Sequence, residues 1–232
     1  MWHFVAFFPA QIIMEKKFWL ERWQRQETGF HQADINQYLR QYWSDIKARH
    51  PDSQVFVPLC GKSRDMLWLN AQGHKVLGIE FSEMALTDFF AENQLPYESV
   101  MLENFQQFRT PDLSLMCGDF FQLTASMLEH HYLVYDRASL VALPENMRRK
   151  YADKMCEILP NGAVMLLVIM EYPQHEMNGP PFSVSETEVK NLYHREFSIE
   201  KLGEFDIFAE NPRFRAKGLS ALTEKVFLLS KM

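Results

Sequence analysis

The sequence predicts a single α/β domain: a mostly parallel, doubly wound sheet with helices on both faces, closed by an antiparallel C-terminal hairpin. Three observations carry this. From residue 54 onward, short apolar runs alternate with helical segments, the pattern of parallel strands joined by crossover helices. The longest run, Ala163 to Met170, is apolar throughout, as a central strand buried on both faces must be. The last two runs, Phe197 to Phe208 and Lys225 to Ser230, follow one another without a long helix between them, which predicts the hairpin.

The elements can be justified in order. Residues 15 to 27 and 36 to 48 have helical periodicity, with Phe18, Trp19 and Trp23 on the first and Tyr38, Tyr42 and Ile46 on the second. The turn "TGFHQ", Thr28 to Gln32, separates them. Strands are expected at "QVFVPL", "HKVLGIE", "LSLMCGD", "HYLVYDR" and "AVMLLVIMEY", and helices at about 63 to 72, 82 to 93, 144 to 158 and 185 to 195. Pro58, Pro144 and Pro160 fall at element boundaries, where a missing N–H does least harm. Residues 1 to 13 are apolar but lack the charged start and small-residue cleavage site of a signal peptide, and are too short to span a bilayer. They are expected to be an extension ahead of a natural start at Met14, leaving 14 to 232 as one domain.

Composition narrows the function. The chain has 232 residues, 47% of them hydrophobic and 23% charged, which fits an ordinary globular domain. A net charge of −6 leaves no basic surplus for a phosphate backbone, so nucleic acid is not an expected partner, and neither is a membrane. Three cysteines, Cys60, Cys117 and Cys156, show neither disulfide-framework nor zinc spacing, and a reducing cytoplasm suits them. A monomer is expected.

The turn "FVPLCGKS", Phe56 to Ser63, poses the functional question, because "GKS" also ends a triphosphate-binding loop. That loop needs a glycine five positions before Gly61, where this chain has Phe56, and Pro58 removes another amide from the would-be cradle. What remains is a strand ending in a tight turn at Gly61. Nineteen residues on, Glu80 ends the next strand, the place where doubly wound folds hold a carboxylate for ribose hydroxyls. The pattern suits an adenosine nucleoside, which both NAD and S-adenosylmethionine contain. The missing G-x-G-x-x-G counts against a dinucleotide, whose pyrophosphate needs several glycines. A nucleotide-dependent oxidoreductase or P-loop kinase using the same crevice is the competing class.

Two further strand ends point into that crevice. Asp119 in "CGDFF" can accept from an adenine amine while Phe120 packs on the ring; the plain alternative is a helix N-cap. Arg137 in "YDRASLVALP" can pair with a methionine carboxylate or hold an anionic acceptor; the plain alternative is a surface ion pair.

Taken together, "FWLERW", "GFHQ", "VPLCGKSRDMLWL", "GHKVLGIEFSEMA", "CGDFF", "YDRASLVALP", "GPPFSV" and "EKVFLL" resemble the bacterial thiopurine S-methyltransferases, from about Met14 to Lys231. The resemblance implies an S-adenosylmethionine-dependent methyltransferase with a Rossmann-like sheet of seven strands. It implies cofactor contacts through Trp23, Leu59, Gly61, Glu80, Asp119, Phe120 and Arg137. It also implies acceptor contacts through Phe30, Arg137 and Arg213, with Arg213 rather than Arg215 chosen from "NPRFRAKG". The acceptors implied are small aromatic or heterocyclic thiols, with selenium or tellurium compounds as a further class and metalloid detoxification as a role.

Such chemistry needs no covalent nucleophile and no metal. Displacement at a sulfonium is one step, and alignment alone can supply roughly 7–11 kcal/mol. Arg137 and Arg213 are expected to favour the acceptor anion. Trp23 and Phe30 are expected at the site, and Phe18 and Trp19 in the core. Cys60 lacks a neighbouring base for a covalent role. His130 and His131 are expected to begin a strand, facing opposite sides, which suits no shared metal. The Pro/Gly-rich segment 171 to 183 is either a lid over the acceptor or a surface loop.

Overall fold

The computed structural model describes residues 10–25, 31–32 and 34–232. Its sheet is built on five parallel strands, β1 (Val55–Val57), β2 (Val76–Glu80), β5 (Leu113–Cys117), β6 (Leu133–Arg137) and β7 (Val164–Glu171). β9 (Thr223–Lys231) pairs antiparallel with β7, and β8 (Phe197–Asp206) pairs antiparallel with β9. On the other edge β3 (Glu98–Met101) and β4 (Gln106–Arg109) form an antiparallel hairpin against β5. The order is β3-β4-β5-β2-β1-β6-β7-β9-β8, nine strands among the described residues rather than the expected seven. The seven expected strands all form. The two extra ones come from "ESVM" and "QQFR", in which only Phe108 is buried, so no apolar run marks them.

The connecting helices are α2 (Gln37–Lys47), α3 (Asp65–Ala71), α4 (Glu83–Glu92), α5 (Ser139–Ala142), α6 (Glu145–Ile158), α7 (Glu186–Tyr193) and α8 (Pro212–Ala216). α1 (Ala10–Gln24) begins earlier than expected and runs through Met14, because no proline or glycine interrupts the chain after Pro9. α2 starts where the Asn36 side chain accepts from the N–H groups of Tyr38 and Leu39, at 3.0 and 3.2 Å. Lys62 and Ser63 belong to the turn and not to α3, which starts at Asp65. His130 and His131 likewise lie in the turn before β6.

Alternate residues of each central strand enter two different cores. Phe56, Ile79, Met116, Val134 and Leu167 pack on the face that carries α6 and α7. Val55, Val57, Leu115, Tyr135 and Leu166 pack on the face that carries α2 and α4. Burial on both faces is why these strands read as continuous apolar runs. Gly78, in the middle of β2, marks a close approach: a Cβ there would lie 2.8 Å from Cys60 Sγ and 2.8 Å from Leu115 Cδ2. Gly78→Ala is therefore expected to cost about 1–3 kcal/mol by overpacking, read as a lower urea midpoint at unchanged m-value.

The chain leaves β1 for β2 and β5 on one side and later passes to β6 and β7 on the other. A crevice opens at this reversal, outside the carboxyl ends of the strands. The described residues contain no helix long and apolar enough to cross a membrane.

Candidate active site

A cavity of about 1000 Å³ occupies that crevice. This is the upper range for small-ligand pockets. Its floor is the turn after β1. Leu59 has φ 44° and Gly61 φ 52°, and both line the cavity. The left-handed bend costs Gly61 little and strains Leu59, as does φ 70° at Ala138 at the end of β6, also on the cavity wall. The bend lets Gly61 N–H donate to Glu80 Oε2 at 3.1 Å, while Ser82 N–H donates to Oε1 at 2.9 Å. Glu80 is buried, and desolvation raises its pKa to about 7 in spite of those two bonds.

At the end of β5, Asp119 is exposed and its Oδ1 caps a short 3₁₀ turn by accepting from Phe121 N–H at 2.9 Å. The capping alternative is thus realised, at a position that still lines the cavity. Phe120 is buried and stacks on Tyr151 at 4.8 Å between ring centroids.

At the end of β6, Arg137 Nε lies 3.4 Å from Asp65 Oδ2. The same carboxylate accepts from the Tyr135 hydroxyl at 3.0 Å and from Asn36 N–H at 2.8 Å. Asp65 is almost fully buried, so Arg137 is anchored in a network and is not a surface ion-pair partner. Sequence reasoning missed Asp65, whose only signal was an acidic residue in the first turn of a helix.

Arg213 reaches the cavity from α8, with its guanidinium 4.9 Å from the Phe214 ring centroid. Arg215 instead lies over Phe208, at 5.9 Å, and does not line the cavity. Trp23 is buried on the cavity wall. Phe18 and Trp19, expected in the core, also line the cavity, and Phe18 is 39% exposed. Phe30 lies outside the described residues. Cys60 lines the cavity, but burial and then the nearby Glu80 charge push its thiol well up, so it stays neutral. Lys62 pairs with Glu92 of α4 at 2.6 Å.

Residues 171 to 183 form a wall closed on itself. Tyr172 N–H donates to Ser183 Oγ at 2.9 Å, Ser183 Oγ donates to Tyr172 O at 2.7 Å, and the Tyr172 hydroxyl donates to Pro181 O at 2.6 Å. Gly179 to Phe182 of this segment line the cavity.

The fold and crevice have known counterparts. A SAM-dependent methyltransferase of Anabaena variabilis superposes with TM-score 0.62 at 11% identity, covering 93% of this chain and 94% of that one. The 1,6-didemethyltoxoflavin-N1-methyltransferase of Burkholderia thailandensis, solved with its acceptor and S-adenosylhomocysteine, gives TM-score 0.62 at 13% identity, covering 100% of this chain and 93% of that one. At such identities the likeness shows the fold. The sequence match decides the family: the Thiopurine S-methyltransferase family profile covers residues 14–232. The chain belongs to that family. The Thiopurine S-methyltransferase of Nitrosospira multiformis is 49% identical over 216 residues, spanning 93% of this chain and 98% of its relative. That of Shewanella oneidensis is 45% identical over 218 residues, spanning 94% and 100%. This thiopurine S-methyltransferase family member is an S-adenosylmethionine-dependent methyltransferase. The crevice fits the cofactor. Glu80 is a buried carboxylate on the cavity wall, matched in chemistry to a ribose diol, and no glycine-rich cradle asks for a pyrophosphate.

Proposed function

We propose that this chain methylates the sulfur of small aromatic or heterocyclic thiols, with selenium and tellurium anions as a second acceptor class. The observation that carries this reading is that Arg137 and Arg213 line one cavity together with the aromatic side chains of Phe18, Trp19, Trp23 and Phe182. Flat rings stack on such walls, and the arginines favour the anionic form of the atom to be methylated.

S-adenosylmethionine, when bound, supplies an electrophilic methyl group on a sulfonium. The chain's residues do the rest by placement. Glu80 accepts from ribose hydroxyls, Leu59 and Gly61 form the floor, and Asp119 with Phe120 holds the adenine. Trp23 lies by the sulfonium, where its ring face favours positive charge. Arg137, fixed by Asp65, and Arg213 hold the acceptor. The thiopurine S-methyltransferases it resembles are named for a sulfur acceptor, which supports the same class here.

A screen of thiophenols, mercaptopurines, selenite and tellurite with methyl-labelled cofactor tests the reading; labelling of oxygen or nitrogen acceptors with no labelled thiol would overturn it. Arg213→Met is expected to lower kcat/KM for an anionic thiol about 10–100-fold, the loss of one charged hydrogen-bond partner, at unchanged S-adenosylhomocysteine affinity. Arg215→Met, outside the cavity, serves as the silent control in the same assay.

Residues 14–232 act as one domain in this reading, and the described residues given a role in it all come from one chain, as suits a monomer. Three free cysteines suit the cytoplasm. Removal of reactive thiols and metalloid anions is the corresponding role.

A further inference from the structure

Two further carboxylates, Glu210 and Glu224, line the cavity. Glu224 sits on β9 at the acceptor side, opposite Met170 of β7 and Phe205 of β8. The groups that face it come from four places: Tyr38 on α2, Arg137 on β6, Arg213 on α8, and Glu210 in the turn before α8. Its neighbour Lys225 points to the opposite face of the sheet, where it pairs with Glu171 at 2.7 Å and lies 3.8 Å from Glu204. Burial pushes the Glu224 carboxyl above the ordinary carboxylate pKa, against the opposing pull of Tyr38, Arg137 and Arg213, and Glu210 adds to the rise. The Tyr38 hydroxyl is buried beside it without a hydrogen bond of full geometry.

We propose that Glu224 is the base that takes the proton from a neutral thiol acceptor, an inference that rests on the thiol reading of this site. A protonated thiol is a poor nucleophile, and two arginines can favour its anion but cannot accept its proton. Glu224 lies beside both arginines, so the negative charge moves from carboxylate to sulfur within the same electrostatic cage. In the step, the acceptor sulfur forms its bond to the methyl carbon as that carbon's bond to the sulfonium sulfur breaks. The bonding pair stays on the leaving sulfur, and the S–H proton passes to a Glu224 carboxylate oxygen. Glu224 then returns the proton to water through the cavity mouth.

The test pairs Glu224→Gln with two acceptors of different acidity. Benzyl mercaptan is protonated at neutral pH and 4-nitrothiophenol is ionised. The expected result is a loss of about 10²-fold in kcat/KM for benzyl mercaptan and little change for 4-nitrothiophenol. Glu224→Asp, which keeps the carboxylate, recovers part of the loss. A second readout is the pH profile of kcat/KM for benzyl mercaptan. The wild type is expected to level off near neutral pH, and Glu224→Gln to keep rising about tenfold per pH unit toward the thiol's own pKa. Equal losses for both acceptors, or the same pH profile in both proteins, would mean that Glu224 only holds the arginines in place, and would overturn the proposal. If the wild type methylates neither thiol, the thiol reading itself fails, a separate outcome. Unchanged S-adenosylhomocysteine binding certifies that a variant is folded, and a Glu224→Gln that fails this check leaves the decision to Glu224→Asp, whose benzyl mercaptan rate must then fall selectively or the proposal fails.

Discussion

Replacing Glu80 with glutamine weakens S-adenosylhomocysteine binding by about 10–100-fold, measured by calorimetry at pH 8. The expected loss is the 1–3 kcal/mol of buried hydroxyls left with an inadequate acceptor. The wild type should also show a pH dependence that the variant lacks. Its Glu80 titrates near pH 7 in the free protein because burial disfavours the charge. In the proposed placement ribose hydroxyls donate to the carboxylate, so the bound state prefers the ionised form. Affinity should therefore fall about tenfold per unit as pH drops below 7 and level off above it. The same shift acts on stability with the opposite sense. The folded pKa lies above the ordinary value of 4.5, so the contribution is fully present below pH 4.5 and is lost as pH rises through 7. For the cofactor-free protein that is about 3 kcal/mol across the window. Urea titrations of the cofactor-free protein at pH 5 and pH 8 should show this slope in the wild type and a flatter one in Glu80→Gln. An affinity independent of pH would remove Glu80 from the ribose.

Asp65→Ala should have the larger effect on folding, about 3–5 kcal/mol, the range for breaking a buried charged network from one side. Three donors lose their acceptor at once: the Tyr135 hydroxyl, Asn36 N–H and the Arg137 guanidinium. Two of these are buried, and Asn36 is the residue that caps α2. The loss therefore spreads from the strand end to the helix behind it. Tyr135→Phe, which removes one donor and leaves the carboxylate two others, should cost only about 1 kcal/mol. The comparison is made from urea midpoints at matched m-values. If the two variants are equally stable, Asp65 is not the centre of the network.

Much of this was legible in the sequence, for identifiable reasons. Strands such as Val164–Glu171 announce themselves because burial on both faces demands continuous apolar residues. Glu80 announced itself by its distance from Gly61, a spacing that one strand-turn-helix-strand unit fixes. The β3–β4 hairpin did not, since Glu98, Ser99 and Met101 are exposed and the strands are held by backbone bonds that any residue can make. Asp65 and Glu224 were missed for another reason. Each lies inside a regular element whose local sequence shows an ordinary charged residue, and each acquires its importance from groups distant in the chain: Arg137 for the first, Tyr38 and Arg213 for the second. Phe18 and Trp19 were misplaced because a helical apolar stripe looks the same whether it faces a core or a cavity.

The position of β9 has a consequence for synthesis. The strand is made after β8 yet lies inside the sheet, between β7 and β8. Residues 55 to 137 supply β1, β2, β5 and β6 and can pair as soon as they emerge. β7 must wait for Thr223–Lys231, and until then it presents an unpaired apolar edge to whatever is nearby. A nascent chain stalled before residue 223 would thus hold its parallel strands and an open, adhesive flank. Chaperone capture at that stage of translation would fall on β7, well before any acceptor could be methylated.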